Sequence, residues 1–296
     1  MKGLVVRGHG RHYIVEDEQG VQHHCHPRGK KSDCVVGDRV QWAESGDEGV
    51  IEKVEPRRNL LFRQDEWKTK SFAANIDQLL VLVAVEPVFS ESQLARALIA
   101  AESAGIPARI ALNKTDLPGT PLARERLAPY IAMGLDVMEV ALRADPQASR
   151  DQLLPWMNGK STFVLGPSGT GKSTLINLLI PDAQAQVGEI SQALNSGRHT
   201  TTTTQWYWQA RQGEFSGTAL IDSPGFQEFG LRQIEPQQLP LLMPDIRAHA
   251  ECRFYNCTHQ HEPGCGVIAA AEAGQIAASR FRIYGEILEE LSSKRW

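Results

Sequence analysis

The sequence predicts an α/β domain with a mostly parallel sheet, preceded by a small all-β barrel and followed by a short, metal-stapled helical segment. Three observations carry this reading: five short alternating segments before residue 55, apolar runs alternating with helical stretches from about residue 75 to 222, and a Cys/His cluster in the last fifth of the chain. The 296 residues allow two or three such units, and we take their limits as 1–63, 64–228 and 229–296. With 42% apolar and 22% charged residues, the composition is that of a folded, soluble protein.

A net charge of -4 creates no global field that would pull the chain onto nucleic acid or anionic lipid, so any such binding has to be local. The opening residues Met1 to Arg7 hold no apolar stretch of signal-peptide length, and the best apolar run, Leu79 to Val85, is only strand length. A cytoplasmic protein without a membrane partner is expected. The odd cysteine count, five, speaks against a disulfide framework.

In the first unit, Gly3 to Arg7, His12 to Glu16, Val21 to His26, Asp38 to Trp42 and Val50 to Val54 read as strands separated by turn-rich stretches. Five short strands in so few residues predict an OB-fold barrel. Arg28, Lys30, Lys31, Arg57 and Arg58 are either a phosphate-contacting patch or solvated turn charges. Residues 1–70 hold 13 basic and 12 acidic residues, a balance that favours the second reading. His23, His24, Cys25 and His26 have ligand chemistry, but strand neighbours point to opposite faces.

In the second unit, Leu79 to Val85, Ala108 to Leu112, Val137 to Val140, Thr162 to Leu165 and Thr218 to Ile221 read as buried strands. Glu91 to Ala104, Pro121 to Met133, Arg150 to Met157 and Lys172 to Leu179 read as helices between them. Ser90 and Gln93 form a capping pair at one helix start, and Gly105 sits where a left-handed C-terminal residue belongs. Trp206 and Trp208 share one face of a strand, a spacing more typical of core than of a base-stacking platform. The third unit is Pro-rich and irregular, and closes with an amphipathic helix from Ala278 to about Lys294.

Gly166-Pro167-Ser168-Gly169-Thr170-Gly171-Lys172-Ser173 has the phosphate-loop spacing, with a strand entering it and a helix leaving it. Backbone N–H groups and a helix N-terminus then converge on phosphate, Lys172 supplies a cation for the β- and γ-phosphates, and the Ser173 hydroxyl is a magnesium ligand. Asn113-Lys114-Thr115-Asp116 follows a strand and so lies at the C-terminal sheet edge, where α/β folds bind ligands. The Asp116 carboxylate matches the N1–H and exocyclic amine of guanine, a donor edge that adenine lacks. Asn113 is within reach of the purine carbonyl and N7 edge, and the Lys114 stem covers the ring. Asp222-Ser223-Pro224-Gly225 also follows a strand and fits a carboxylate behind the metal and a glycine N–H at the γ-phosphate. Between these motifs runs Arg198-His199-Thr200-Thr201-Thr202-Thr203-Thr204, where a switch threonine completes the metal site.

The base motif precedes the phosphate loop by about fifty residues, the reverse of the ordinary GTPase order, so the domain is circularly permuted. This order, between an N-terminal barrel and a C-terminal Cys/His cluster, resembles the RsgA family of ribosome-small-subunit-dependent GTPases over nearly the whole chain. The family's motifs match here as Asn113 to Asp116, Gly166 to Thr174, Gly197 to Thr201 and Asp222 to Gly225. The resemblance implies a mostly monomeric GTP hydrolase of late small-subunit maturation. It implies binding of the subunit and its rRNA through the barrel and the metal domain, with GTP or GDP and magnesium at the loop and Ser173 and Thr201 on the metal. It departs from the family at the usual Ser-Ala turn near the guanine carbonyl, where only Val140-Ala141-Leu142 is found and the Ala141 N–H is the substitute.

Cys252, Cys257, His259 and Cys265 offer three thiolates and one imidazole, the closed ligand set of a structural zinc, one per chain. The family spacing selects His259 over His249 and His261. After Gly225, where many GTPases carry a water-orienting glutamine, stands Phe226, which cannot hydrogen-bond water. Slow hydrolysis stimulated by the subunit is therefore expected, with His199 as the nearest polar catalytic group by chain order and family resemblance. The competing classes are a module that binds nucleotide without turning it over and a metabolic kinase; the guanine motif opposes the kinase, which needs an acceptor site instead.

Overall fold

The computed structural model describes residues 1–29, 33–64, 69–183, 204–223 and 230–293. Alternating residues close the first five strands into a barrel. Strand β1 (Lys2–His9) pairs antiparallel with β2 (His12–Asp17), and β2 with β3 (Gln22–Pro27). Strand β3 runs parallel to β5 (Glu48–Val54), which pairs with β4 (Arg39–Ser45), and β4 returns to β1. This is the predicted OB-type closure, filled by Val5, Val15, Cys25, Val40, Trp42 and Ile51. Alternation also disperses the His/Cys run. Cys25 points into the core, His23 bonds Asp17 at 2.8 Å beside Trp42, and His26 bonds Glu48 at 3.2 Å.

Among the described residues the arginines of the basic patch each lie beside a carboxylate. Arg57 is spent on the fully buried Asp38 at 2.7 Å, Arg58 pairs with Asp77 at 2.7 Å, and Arg28 lies 3.4 Å from Glu52. Lys30 and Lys31 lie outside the described residues.

A hairpin of β6 (Leu60–Gln64) and β7 (Thr69–Ala74) follows, where no strand was expected. Then β8 (Gln78–Ala84), β9 (Ala108–Asn113), β10 (Val137–Val140), β11 (Ser161–Leu165) and β13 (Ser216–Asp222) build a parallel sheet in the order β10-β9-β8-β11-β13. Strand β12 (Gln205–Gly213) lies antiparallel on β13 and reaches the barrel through the pairing of Arg7 with Gln205. Successive residues of the central strand β8 face opposite sides. Leu79, Val81 and Val83 meet helices α1 (Glu91–Ser103) and α2 (Thr120–Ala132), while Leu80 and Leu82 meet α3 (Pro146–Met157) and α4 (Lys172–Leu179). The Ser90 side chain caps α1 through the Gln93 N–H, as its position predicts. Helix α3 starts a turn earlier than expected because Asp145 caps it and Pro146 opens it.

After residue 230 come a 3₁₀ turn (Pro236–Leu242), α5 (Pro244–Arg247), α6 (Gly266–Glu272) and α7 (Ala278–Ser292). Leu231, Ile234, Met243, Ile246, Ile283 and Ile287 join the same apolar cluster as α1, so this segment borrows the core of the sheet domain. Its anchor is polar. Arg280 on α7 is buried, donates to both oxygens of Asp245 at 2.8 and 3.0 Å, and lies 5.0 Å from the centre of the Tyr130 ring on α2. The helix is amphipathic as expected, but this charge belongs to its buried face. Trp206 and Trp208 pack edge to face at 5.4 Å, and the Trp208 indole donates to Glu16 at 2.8 Å, which places them in the structure's interior framework. No helix among the described residues is long and apolar enough to cross a membrane.

Candidate nucleotide and metal sites

Parallel register brings motifs distant in sequence to one edge. Asn113 ends β9 opposite Ala84 and Val140, Leu165 ends β11 opposite Val81, and Asp222 ends β13 opposite Val164. The base motif, the phosphate loop and Asp222 therefore leave the C-terminal ends of β9, β11 and β13 on one edge of the sheet, although the first and last are more than a hundred residues apart.

Two of the loop's glycines are dictated by contact. A Cβ at Gly166 would lie 2.3 Å from the Leu82 carbonyl oxygen. Gly171 has φ +105°, and a Cβ there would lie 2.4 Å from Asn113 Nδ2. Thr170 donates its hydroxyl to the Pro167 carbonyl at 2.9 Å, and helix α4 begins at Lys172. Ser173 and Thr174 thus stand in its first turn, with Pro167, Ser168 and Gly169 forming the loop crest.

Lys172 is buried and folds back to donate to the carbonyls of Gly166 at 2.7 Å and Pro167 at 2.9 Å. Burial pulls its ammonium down to about 8, with the Asp222 carboxylate opposing the shift. Asp222 is 1% exposed, and its Oδ1 has no hydrogen-bond partner. Burial pushes this carboxyl up to about 6, with the Lys172 cation opposing. A buried, orphaned carboxylate oxygen beside a buried cation fits a site that receives a phosphate chain and its divalent metal.

At the base side, Asn113 is the hub. Its Nδ2 donates to the Thr170 carbonyl at 2.9 Å, and its Oδ1 accepts from Leu142 N at 3.1 Å and Lys114 N at 2.7 Å. Lys114 takes a positive φ of 64° and reaches the Glu86 carbonyl. Burial holds its ammonium below the ordinary lysine range, and the nearby Arg143 adds to this. Thr115 donates its hydroxyl to the Val140 carbonyl at 3.2 Å, and Asp116 beside it is exposed. The Ala141 N–H does not stand free for a guanine carbonyl, because it is donated to Ser149 Oγ at 3.1 Å. Sequence reasoning missed Ser149 and the tie from Asn113 to the loop. Neither has a local signal, since both depend on strands brought together by the sheet. His199, Thr201, Pro224, Gly225 and Phe226 lie outside the described residues.

At the far end of the chain, ligand atoms of Cys252, Cys257, His259 and Cys265 lie within 4.8 Å of one another. His259 Nδ1 is 3.3 Å from the sulfurs of both Cys252 and Cys265. These four residues can hold a metal ion, and three sulfurs with one imidazole match the soft, closed set of a structural site. Burial lowers the His259 pKa, favouring the neutral, ligating imidazole. His249 and His261 stand outside the group.

Fold and edge together define a GTPase whose base motif comes first in the chain, a circular permutation of the usual order. The chain belongs to the RsgA GTPase family, whose family model, described as RsgA GTPase, matches residues 54–232. It is 60% identical over 301 residues to the small ribosomal subunit biogenesis GTPase RsgA of Variovorax paradoxus (strain S110), covering 99% of this chain and 93% of that protein. Identity to the protein of the same name from Burkholderia pseudomallei (strain 1710b) is 52% over 295 residues, covering 98% and 92%. Among solved structures it resembles YjeQ from Thermotoga maritima, with a TM-score of 0.75, 30% identity and 99% of each chain covered. It also resembles YloQ, described as a circularly permuted GTPase, with a TM-score of 0.67, 26% identity and coverage of 98% and 94%. Membership of a GTPase family implies magnesium as the partner of the bound nucleotide.

Proposed function

We propose that this chain hydrolyses GTP during biogenesis of the small ribosomal subunit, binding the subunit and its rRNA through the barrel and the metal domain. The observation that carries the reading is the meeting of the base motif, phosphate loop and Asp222 at one sheet edge, with Asn113 bonded across to the loop. The names of the full-length relatives support the ribosomal part. We assign residues 1–63 to the barrel, 64–228 to the GTPase domain and 229–296 to the metal domain. The protein works as a cytoplasmic monomer.

In this reading Asp116 accepts from the guanine edge, Lys114 covers the ring, and the N–H groups from Gly166 to Thr174 enclose the phosphates. Lys172 exchanges its two loop carbonyls for β- and γ-phosphate oxygens, replacing neutral acceptors with charged ones. Ser173 and Thr201 are the residues that would hold magnesium, which when bound would neutralise phosphate charge; the buried Asp222 is the carboxylate assigned to that metal's surroundings. Water attacks the γ-phosphorus, the bond to the β,γ-bridging oxygen breaks, and GDP leaves with the bonding electrons. His199 orients that water, and the Gly225 N–H meets the γ-phosphate. Zinc is the metal assigned to Cys252, Cys257, His259 and Cys265, as a brace without an open position.

Co-sedimentation with small ribosomal subunits, in GDP and in a non-hydrolysable GTP analogue, tests this function. Association that differs between the two nucleotides is expected. Failure to sediment with either would refute the ribosomal assignment while leaving the GTPase intact.

A further inference from the structure

We propose that Phe254 and Tyr255, at the tip of the loop between the first two metal ligands, form a stacking contact for an unpaired RNA base. The inference rests on the ribosomal reading above and adds residues and a mode of contact to it.

Phe254 is 42% exposed and Tyr255 fully exposed, and they are the only exposed Phe, Tyr or Trp side chains among the described residues. They are consecutive on the segment Arg253 to Asn256, whose flanking residues, Cys252 and Cys257, converge in the metal group. A four-residue loop pinned at both ends by one metal site is stiff, so little conformational entropy is lost when a partner binds. The segment below it is also fixed. Glu262 accepts from the N–H groups of Thr258 at 2.7 Å, Gln260 at 3.1 Å and His261 at 3.1 Å, and the buried Tyr284 donates to the Thr258 carbonyl at 2.9 Å.

Large apolar rings are not left in water on a rigid tip for stability, since burying them against the body would be favourable. Their surroundings select the partner. Glu251, Asn256, Thr258 and His261 around the tip are polar and exposed, so there is no continuous apolar patch of the kind that forms the centre of a protein interface. Arg253 places its guanidinium 5.6 Å from the centre of the Phe254 ring, adding a cation next to the π-face. A lone aromatic pair with an adjoining guanidinium on a polar tip suits a splayed-out nucleobase, which offers a π-face and a nearby phosphate. Glu262, the acid nearest the metal loop on its C-terminal side, spends both carboxylate oxygens on N–H groups of residues 258 to 261.

The experiment uses full-length zinc-loaded protein carrying Tyr255→Ala, Phe254→Ala or Tyr255→Phe, with zinc content and subunit-free GTP hydrolysis measured first as controls. Each alanine variant should keep both controls and bind small subunits about tenfold more weakly, and Tyr255→Phe should bind as wild type because the ring is retained. Zero-length ultraviolet crosslinking of wild type to subunits, read by mass spectrometry, should join Tyr255 or Phe254 to a nucleotide. Wild-type binding by both alanine variants would overturn the proposal and leave the ribosomal reading standing. A crosslink to a ribosomal protein in place of RNA would also overturn it. Should wild type itself not bind subunits, the ribosomal reading falls and the proposal with it.

Discussion

The Asn113 amide donates to the Thr170 carbonyl at 2.9 Å, so the residue that opens the base motif also holds the phosphate loop. Because Gly171 leaves no room for a Cβ beside that amide, the two motifs are fitted to each other before nucleotide arrives. Asn113→Ala would strand the buried Thr170 oxygen and the Leu142 and Lys114 N–H groups, costing about 2–3 kcal/mol. Urea denaturation of the nucleotide-free protein is expected to show this loss, together with weakened binding of both GTP and GDP.

Asp116 is exposed at the mouth of the same edge, poised to accept from a donor-bearing purine edge. Asp116→Asn presents an amide donor to the guanine N1–H and should move preference from GTP toward xanthosine triphosphate, whose carbonyl accepts it. Competition binding with the two nucleotides measures the shift; unchanged GTP preference would remove the base-site assignment.

Much of this architecture is legible in the sequence because it rests on local pattern. The uniform apolar run of β8, the Ser90 cap and the phosphate-loop spacing are read without any tertiary knowledge, and thiols clustered with a histidine have few other uses. The missed features are those set by distant partners. Leu60–Gln64 and Thr69–Ala74 carry no clean alternation, and their pairing becomes visible only as a hairpin. Arg280 looks like one more charge on an amphipathic helix, since its partner Asp245 is 35 residues away and the ring it covers, Tyr130, is farther still. The Ala141 N–H looked available because Ser149 reaches it only after α3 folds back.

The Arg280–Asp245 pair gives the clearest stability test. Removing either partner leaves an uncompensated buried charge, so Arg280→Ala or Asp245→Ala should cost about 3–5 kcal/mol, whereas Arg280→Met with Asp245→Leu should recover most of it. Chemical denaturation of wild type, the two alanine variants and the Arg280→Ala/Asp245→Ala double completes the cycle. Equal costs that simply add would show that the pair does not act as a unit.

Metal analysis of purified protein should find one zinc per chain. Cys257→Ser should lose it, raise protease sensitivity after residue 230 and weaken subunit association, while nucleotide affinity stays near wild type. Loss of nucleotide binding along with the metal would instead mean that the shared core around α1 transmits the damage.

The central claim is that this permuted GTPase is switched on by the small ribosomal subunit, because Phe226 stands where a water-orienting glutamine is commonly found. It is tested most directly by steady-state phosphate release from GTP, measured for wild type and His199→Ala with and without purified small subunits. The account predicts slow release by the free wild type, stimulation of about tenfold or more on adding subunits, and loss of most of that stimulation in His199→Ala. Hydrolysis by wild type that is unaffected by subunits would contradict it.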